Sequence, residues 1–174
     1  MSTNSTPSGA QSEFRKLCVV GLGYVGLPTA AVFASRGLDV VGFDVNADTV
    51  ALINDGQVHI VEPDLDILVN GAVARGKLRA ATEAETADVF ILAVPTPFTD
   101  GNKPDLSYLE SAVKTIAPVL APGNMVILES TSPVGTTDRV SQWLASHRPD
   151  LKLPHDHGEQ SNVCVAHSPE RVLP

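Results

Sequence analysis

The apolar run Leu17-Cys18-Val19-Val20 ends on Gly21, Gly23 and Gly26, spaced G-x-G-x-x-G, and residues at helical spacing follow at once. A second apolar run, 39–44, closes on Asp44, 23 residues after Gly21. This order predicts a strand, a tight turn, a helix and a second strand ending on an acid. Gly21 makes the turn, Gly23 lets the backbone approach a pyrophosphate, and Gly26 lets helix and strand pack closely. The free N–H groups and positive end of the helix then face the place where an anion would sit. Dinucleotide binding is the reading that explains the whole arrangement. Its bland rival is a glycine turn that serves only tight packing.

The rest of the chain fits the same architecture. The first helix runs to about Arg36, with Leu27, Ala30, Ala31 and Ala34 on one face and Gly37 as its C-cap. Pro28 is harmless if this helix starts near Gly23 to Val25, where its missing N–H has no partner to lose. Asn46 is placed to cap a short helix through Asn54. Pro63-Asp64 opens another helix, with Leu65, Leu68, Val69, Ala72 and Val73 at helical spacing. Strands are expected at about 16–21, 39–44, 78–81, 87–94, 125–129 and 163–166. The run 87–94 is apolar enough to be a central strand covered on both faces. Leu106, Leu109, Val113, Ile116 and Leu120 mark a helix face, and Val140, Trp143 and Leu144 another. Residues 99–103 and 150–162 read as polar loops. The fold expected is α/β: a Rossmann-type doubly wound parallel sheet of about six strands in the order 3-2-1-4-5-6.

In such a sheet, ligands bind beyond the carboxyl ends of the strands. There lie Gly21 to Val25, Asp44, Pro95-Thr96-Pro97, Ser130-Thr131-Ser132 and the segment from His167 to Pro174. Asp44 would accept hydrogen bonds from the adenosine ribose and repel a 2′-phosphate. No arginine follows in Val45-Asn46-Ala47, so NAD is expected over NADP. FAD and S-adenosylmethionine sites share parts of the pattern and stand as minor alternatives. Thr96, between two prolines, ends a central strand where the nicotinamide half would lie. Thr131 and Glu170 end the fifth and sixth strands at the same sheet edge.

Composition narrows the class of protein. Twelve Lys and Arg against 20 Asp and Glu give a net charge of −8, which argues against nucleic acid or another polyanion as partner. No apolar run reaches the roughly 20 residues that a membrane helix needs. Residues 1–14 carry no apolar stretch of the kind a secretory signal has and read as a disordered tail. Residues 15–174 read as one domain. Cys18 and Cys164 both lie in apolar runs, which suggests reduced core thiols and a cytoplasmic location. Strand-interior cysteines rarely meet the distance that a bridge between them would require. The five histidines, His59, His147, His155, His157 and His167, show no metal-ligand spacing; His155-x-His157 reads as surface, and no metal is expected.

Five stretches in order, Gly21-Leu-Gly-Tyr-Val-Gly-Leu-Pro28, His59-Ile-Val-Glu-Pro-Asp-Leu65, Val94-Pro-Thr-Pro-Phe98, Leu128-Glu-Ser-Thr-Ser-Pro-Val-Gly135 and Ser168-Pro-Glu-Arg-Val-Leu-Pro174, closely resemble the UDP-glucose and GDP-mannose dehydrogenases. The resemblance to this family runs from about residue 16 to 174. It implies two successive NAD-dependent oxidations of a nucleotide sugar's C6 alcohol to a carboxylate, in cell-surface polysaccharide precursor synthesis. The ending Pro169-Glu-Arg-Val-Leu-Pro174 is similar to the branch that takes UDP-N-acetyl-D-mannosamine; branches taking UDP-N-acetylglucosamine or UDP-glucose are the alternatives. Outside the class, a non-catalytic dinucleotide-binding module is the rival.

Carried over by residue, the resemblance implies cofactor contacts at Tyr24, Val25, Asp44, Thr96 and Thr137, beside Gly21, Gly23, Gly26 and Thr131. It implies substrate contacts at Arg171 and Val172, and it makes Thr131 and Glu170 the pair that positions and activates water. The family's cysteine nucleophile sits in a glycine-rich segment. Neither Cys18 nor Cys164 does, so the chain is expected to correspond to the N-terminal NAD-binding domain, without the central dimer helix and C-terminal UDP-sugar domain, and to bind NAD without turnover. A UDP-sugar is the expected substrate partner, and a homodimer or larger assembly the expected state of the full-length protein.

Overall fold

A computed structural model describes residues 14–99, 101 and 103–169. The tail expected at 1–14 therefore lies almost wholly outside the described residues, and Glu170, Arg171 and Val172 lie outside them altogether.

Among the described residues, six parallel strands form one sheet in the order β3-β2-β1-β4-β7-β8. These are β1 (Lys16–Val20), β2 (Asp39–Phe43), β3 (Leu78–Ala81), β4 (Val89–Leu92), β7 (Met125–Leu128) and β8 (Cys164–His167). Counted within the sheet, that is the expected 3-2-1-4-5-6. A two-stranded antiparallel hairpin, β5 (Phe98–Thr99) with β6 (Lys103–Pro104), stands where a plain loop was expected. The helices are α1 (Gly26–Ser35), α2 (Ala47–Asn54), α3 (Leu65–Ala74), α4 (Ser107–Ile116), α5 (Thr136–His147) and the short α6 (Pro154–His157).

Two apolar layers sandwich the sheet. On one face α1 and α3 pack on Leu17, Val19, Val40 and Ile91; on the other α4 and α5 pack on Cys18, Val20, Phe90 and Val126. Alternation along each strand makes this division, because successive side chains point to opposite faces. All four residues of β4 are buried, as its position between β1 and β7 requires. The small-residue face of α1 is fully used: Leu27, Ala30, Ala31 and Ala34 are all wholly buried. Asn46 caps α2 by accepting from the N–H groups of Asp48 and Thr49.

Three expectations need correction. The apolar face from Leu106 to Leu120 is not one helix: Pro118 stops α4, and Ala117–Val119 tightens into a 3₁₀ turn. The segment 150–162 is not merely polar, because Leu151 and Leu153 are buried and fold α6 back onto α5. That contact takes His155 off the surface. Its Nδ1 lies 2.8 Å from Ser141 Oγ, its backbone N–H donates to the same oxygen, and its Nε2 lies 2.9 Å from Asp156 Oδ2.

Cys164 is also exposed rather than buried. It starts the edge strand β8 and shares a sheet face with Met125 and Ile127, beyond the reach of α1 and α3. Cys18 is buried as expected, and burial pushes its thiol up to about 11.

Candidate functional site

A cavity of about 620 Å³ opens at the carboxyl ends of the strands, a size usual for small-molecule sites. Its near wall is the glycine turn. Gly21 has φ +91°, and a Cβ there would lie 2.9 Å from the carbonyl oxygen of Ala93. A Cβ on Gly26 would come within 1.8 Å of the Gly21 carbonyl oxygen, so the strand and α1 approach as closely as glycine alone permits. Gly23 differs: a Cβ there would meet nothing within 4 Å. Its empty side lies on the cavity, where the sequence places a pyrophosphate. The N-cap residue of α1, Val25, has no side chain to cap the first turn, and no acid occupies that turn. Its amino end remains available to an anion.

Asp44 stands beside this turn and lines the same cavity. Its Oδ2 accepts from the N–H of Leu22 at 2.9 Å, and its Oδ1 from the N–H of Asn46 at 2.9 Å. The carboxylate thus braces the glycine turn and starts the β2–α2 loop. Each oxygen keeps lone-pair capacity for a ribose hydroxyl.

The far wall is built by the loops after β4 and β7, which are clipped together. Thr96 Oγ1 donates to the carbonyl oxygen of Thr131 at 2.6 Å, and Ser130 Oγ donates to that of Val94 at 2.6 Å. Ser130 is buried, and its role as a tie was missed from sequence; its small hydroxyl just past an apolar strand was the available signal. Beneath this loop, Glu129 Oε1 accepts from Thr29 Oγ1 at 2.9 Å and fastens the end of β7 to α1.

Of the residues chosen from sequence, Gly21, Gly23, Tyr24, Val25, Asp44, Thr96 and Thr131 all line this one cavity. Gly26 lies behind the turn. Thr137, in the first turn of α5, is not among the lining residues. Glu170, Arg171 and Val172 fall outside the described residues. One wall was not anticipated: Tyr108, Ser111, Ala112 and Thr115 of α4 also face the cavity. They recur at helical spacing beside the buried stripe Leu109, Val113 and Ile116, and nothing in the sequence set Tyr108, Ser111 and Thr115 apart from ordinary helix surface.

Neither cysteine serves this cavity. Cys18 is wholly buried, with its thiol pushed up to about 11, and Cys164 begins β8 at the amino end of the sheet. Among the described residues, no three His, Cys, Asp or Glu side chains gather as a metal site, and no helix is long and apolar enough to cross a membrane.

Residues 15–174 match the family model described as UDP-glucose/GDP-mannose dehydrogenase family, NAD binding domain. The chain is 60% identical over 162 residues to an NDP-N-acetyl-D-galactosaminuronic acid dehydrogenase of Ralstonia nicotianae, covering 93% of this chain and 38% of that one. It is 58% identical to the UDP-N-acetyl-D-mannosamine dehydrogenase of Campylobacter jejuni, over 94% of this chain and 40% of that one. Among solved structures, the UDP-N-acetyl-mannosamine dehydrogenase Cap5O of Staphylococcus aureus superposes with a TM-score of 0.82 at 40% identity. That match covers 91% of this chain and 37% of that one. The chain thus spans about two-fifths of the length of the curated relatives it matches.

Proposed function

The chain belongs to the UDP-glucose/GDP-mannose dehydrogenase family, whose NAD-binding domain it matches, and from that premise we propose that the protein carrying it oxidises the C6 alcohol of UDP-N-acetyl-D-mannosamine to the uronate, in two hydride transfers to NAD⁺. The observation that carries this reading is the meeting of the glycine turn, Asp44, Thr96 and Thr131 around one cavity at the carboxyl edge of the sheet. Each has a task there. The amino end of α1 and the open side of Gly23 receive the pyrophosphate. Asp44 holds the adenosine ribose and disfavours a 2′-phosphate. NAD supplies hydride acceptance when bound.

Thr96 and Thr131 border the far end of the cavity, where the nicotinamide would reach the alcohol. Thr131 presents a hydroxyl beside the reacting carbon, and Glu170, next in the sequence after Pro169, supplies the carboxylate that takes a proton from water in the second oxidation. Arg171 and Val172 contact the sugar nucleotide. Thr137 is a cofactor contact on the strength of the resemblance alone.

A second oxidation of this kind also needs a nucleophile to hold the aldehyde. Cys18 is buried and protonated, and Cys164 lies at the wrong end of the sheet. The purified 174-residue chain should therefore bind NAD without carrying the sugar through to the uronate.

The N-acetylgalactosamine series is the second reading for the substrate, favoured by the name of the 60% identical Ralstonia relative. Both readings are tested by supplying the whole protein with NAD⁺ and, in turn, UDP-N-acetylmannosamine, UDP-N-acetylgalactosamine, UDP-N-acetylglucosamine and UDP-glucose. Two NADH formed per UDP-N-acetylmannosamine, with kcat/KM at least tenfold above the others, is expected. A higher kcat/KM on another sugar would overturn the assignment.

A further inference from the structure

Ser130 has no task in the reading above, yet it is buried at the edge of the cavity. Its place follows from how β4 ends. Successive residues of a strand turn their backbone groups to opposite neighbours. The Ala93 N–H donates to the Val20 carbonyl of β1 at 2.9 Å, whereas the Leu92 carbonyl accepts from Glu129, just past β7, at 3.0 Å. Position 95 is therefore the next to pair toward β1, and it is a proline, which has no N–H to give. The ladder toward β1 breaks there. The glycine turn and the loop after β4 part, and the cavity opens between them.

Toward β7 the seam continues by other means. Carried forward, the register that pairs Leu92 with Leu128 presents the carbonyl oxygens of Val94 and then Thr131 as the next acceptors. Both do accept, but from side chains. Ser130 Oγ donates to Val94 at 2.6 Å, and Thr96 Oγ1 donates to Thr131 at 2.6 Å. The pattern Pro95-Thr96-Pro97 suits this: its prolines fall where pairing with β1 would be, and its threonine falls on the β7 side. Two hydroxyls thus extend a backbone ladder past the end of the strands. Each spends its one proton across the seam, so Thr96 Oγ1 turns acceptor capacity alone to the cavity.

Resting on the NAD reading above, we propose that Ser130 is a positioning residue for the oxidation: by holding the Val94 carbonyl it hangs the Thr96 loop from the β7 side, and so sets Thr96 and Thr131 together at the nicotinamide end of the cavity. It acts through the loop. The pyrophosphate and adenosine ends are left to the glycine turn and Asp44.

NAD and ADP-ribose differ by the nicotinamide, so the ratio of their affinities reads the far end of the cavity. Calorimetry on the purified chain should show wild type binding NAD at least about threefold more tightly than ADP-ribose. Ser130→Ala should weaken NAD by about fivefold, the scale of one hydrogen bond, and leave ADP-ribose within about twofold of wild type. A variant that had merely loosened the fold would weaken both ligands alike, and thermal melts give its stability directly. In the whole protein, Ser130→Ala should lower kcat at saturating NAD⁺ and sugar by about tenfold and keep KM for the sugar within about threefold. Equal affinities of wild type for the two ligands, equal weakening of both in Ser130→Ala, or an unchanged kcat would each overturn the assignment of Ser130 while NAD binding itself stands. Failure of wild type to bind NAD at all would overturn the cofactor reading along with it.

Discussion

The N–H of Leu22 donates to Asp44 Oδ2 across 2.9 Å, joining the middle residue of the G-x-G turn to the acid that ends the next strand. One carboxylate therefore has two tasks: it holds the turn in shape, and it is positioned to receive the ribose. Asp44→Ala should weaken NAD by about 10–100-fold, because bonds to a charged acceptor are worth about 1.5–3 kcal/mol and the turn loses its brace as well. Asp44→Asn should keep most of the fold and narrow the preference for NAD over NADP, since the repulsive charge is gone. Paired calorimetric titrations with the two cofactors check both outcomes. Wild-type binding of NADP as tight as that of NAD would contradict the role given to Asp44.

Two glycines of the same turn should respond in opposite ways. A methyl group at Gly26 collides with the backbone of Gly21, which has no flexible end to move aside. Gly26→Ala should cost at least about 1–3 kcal/mol of stability. A methyl group at Gly23 meets only the open cavity, so Gly23→Ala should melt within about 0.5 kcal/mol of wild type and yet bind NAD poorly. Urea denaturation and a binding titration on the two variants separate packing from ligand approach. Equal loss of stability in both would refute the distinction.

Asp64 is strained. Among the described residues it is the one non-glycine with positive φ, at +61°, where it precedes α3. Left-handed backbone costs an ordinary L-residue about 1–2 kcal/mol, partly relieved for Asp. Asp64→Gly should be neutral or stabilising by up to about 1 kcal/mol, the gain trimmed by glycine's greater chain entropy when unfolded. Asp64→Val should be destabilising by about 1–2 kcal/mol, because a β-branched residue tolerates that region least. Thermal melts that ranked valine at or above glycine would show that the strain is absent in solution.

At the opposite, amino edge of the sheet, charges contribute to acid stability. The Arg79 guanidinium, with help from Lys16, holds Glu85 below its ordinary 4.5. The N–H groups of Lys16 and Arg15 hold Asp88 below its ordinary 3.8. Groups depressed in the folded state stabilise it fully above their unfolded values, and that stabilisation is lost as the pH falls through the lower folded ones. Stability should therefore decline on acidification below about pH 4.5, and Asp88→Asn and Glu85→Gln should each flatten that decline while lowering stability at neutral pH. Denaturation midpoints measured from about pH 7 to 3 give the slopes. Unchanged slopes in both variants would show that these carboxylates do not supply the effect.

Much of this was legible in order along the chain. Apolar runs placed every strand of the main sheet to within a few residues, and helical spacing placed the helices between them. Turn chemistry placed the ends of α1, α2 and α3, because those signals act through neighbouring residues. Apart from the local break at Pro118 and the short β5–β6 hairpin, the losses came from contacts between segments farther apart in the chain. Cys164 looked buried because its strand is apolar, but β8 is an edge strand and, among the described residues, no helix covers its face. His155 looked exposed because its loop is polar, but Leu151 and Leu153 draw that loop onto α5. The α4 stripe looked like ordinary helix surface until the cavity formed beside it.

The amino-acid order by itself determined the glycine turn, the acid that follows it and the strand ends that share one edge. Backbone sterics and apolar runs operate over a handful of residues and need no partner. Only the tertiary structure decided that Thr96 meets Thr131, that Asp44 reaches back to Leu22, and that α4 closes the cavity. Those relations depend on which strands lie side by side and how far each helix reaches over the sheet. That is a property of the packed whole, set by burial of two apolar layers rather than by any local pattern.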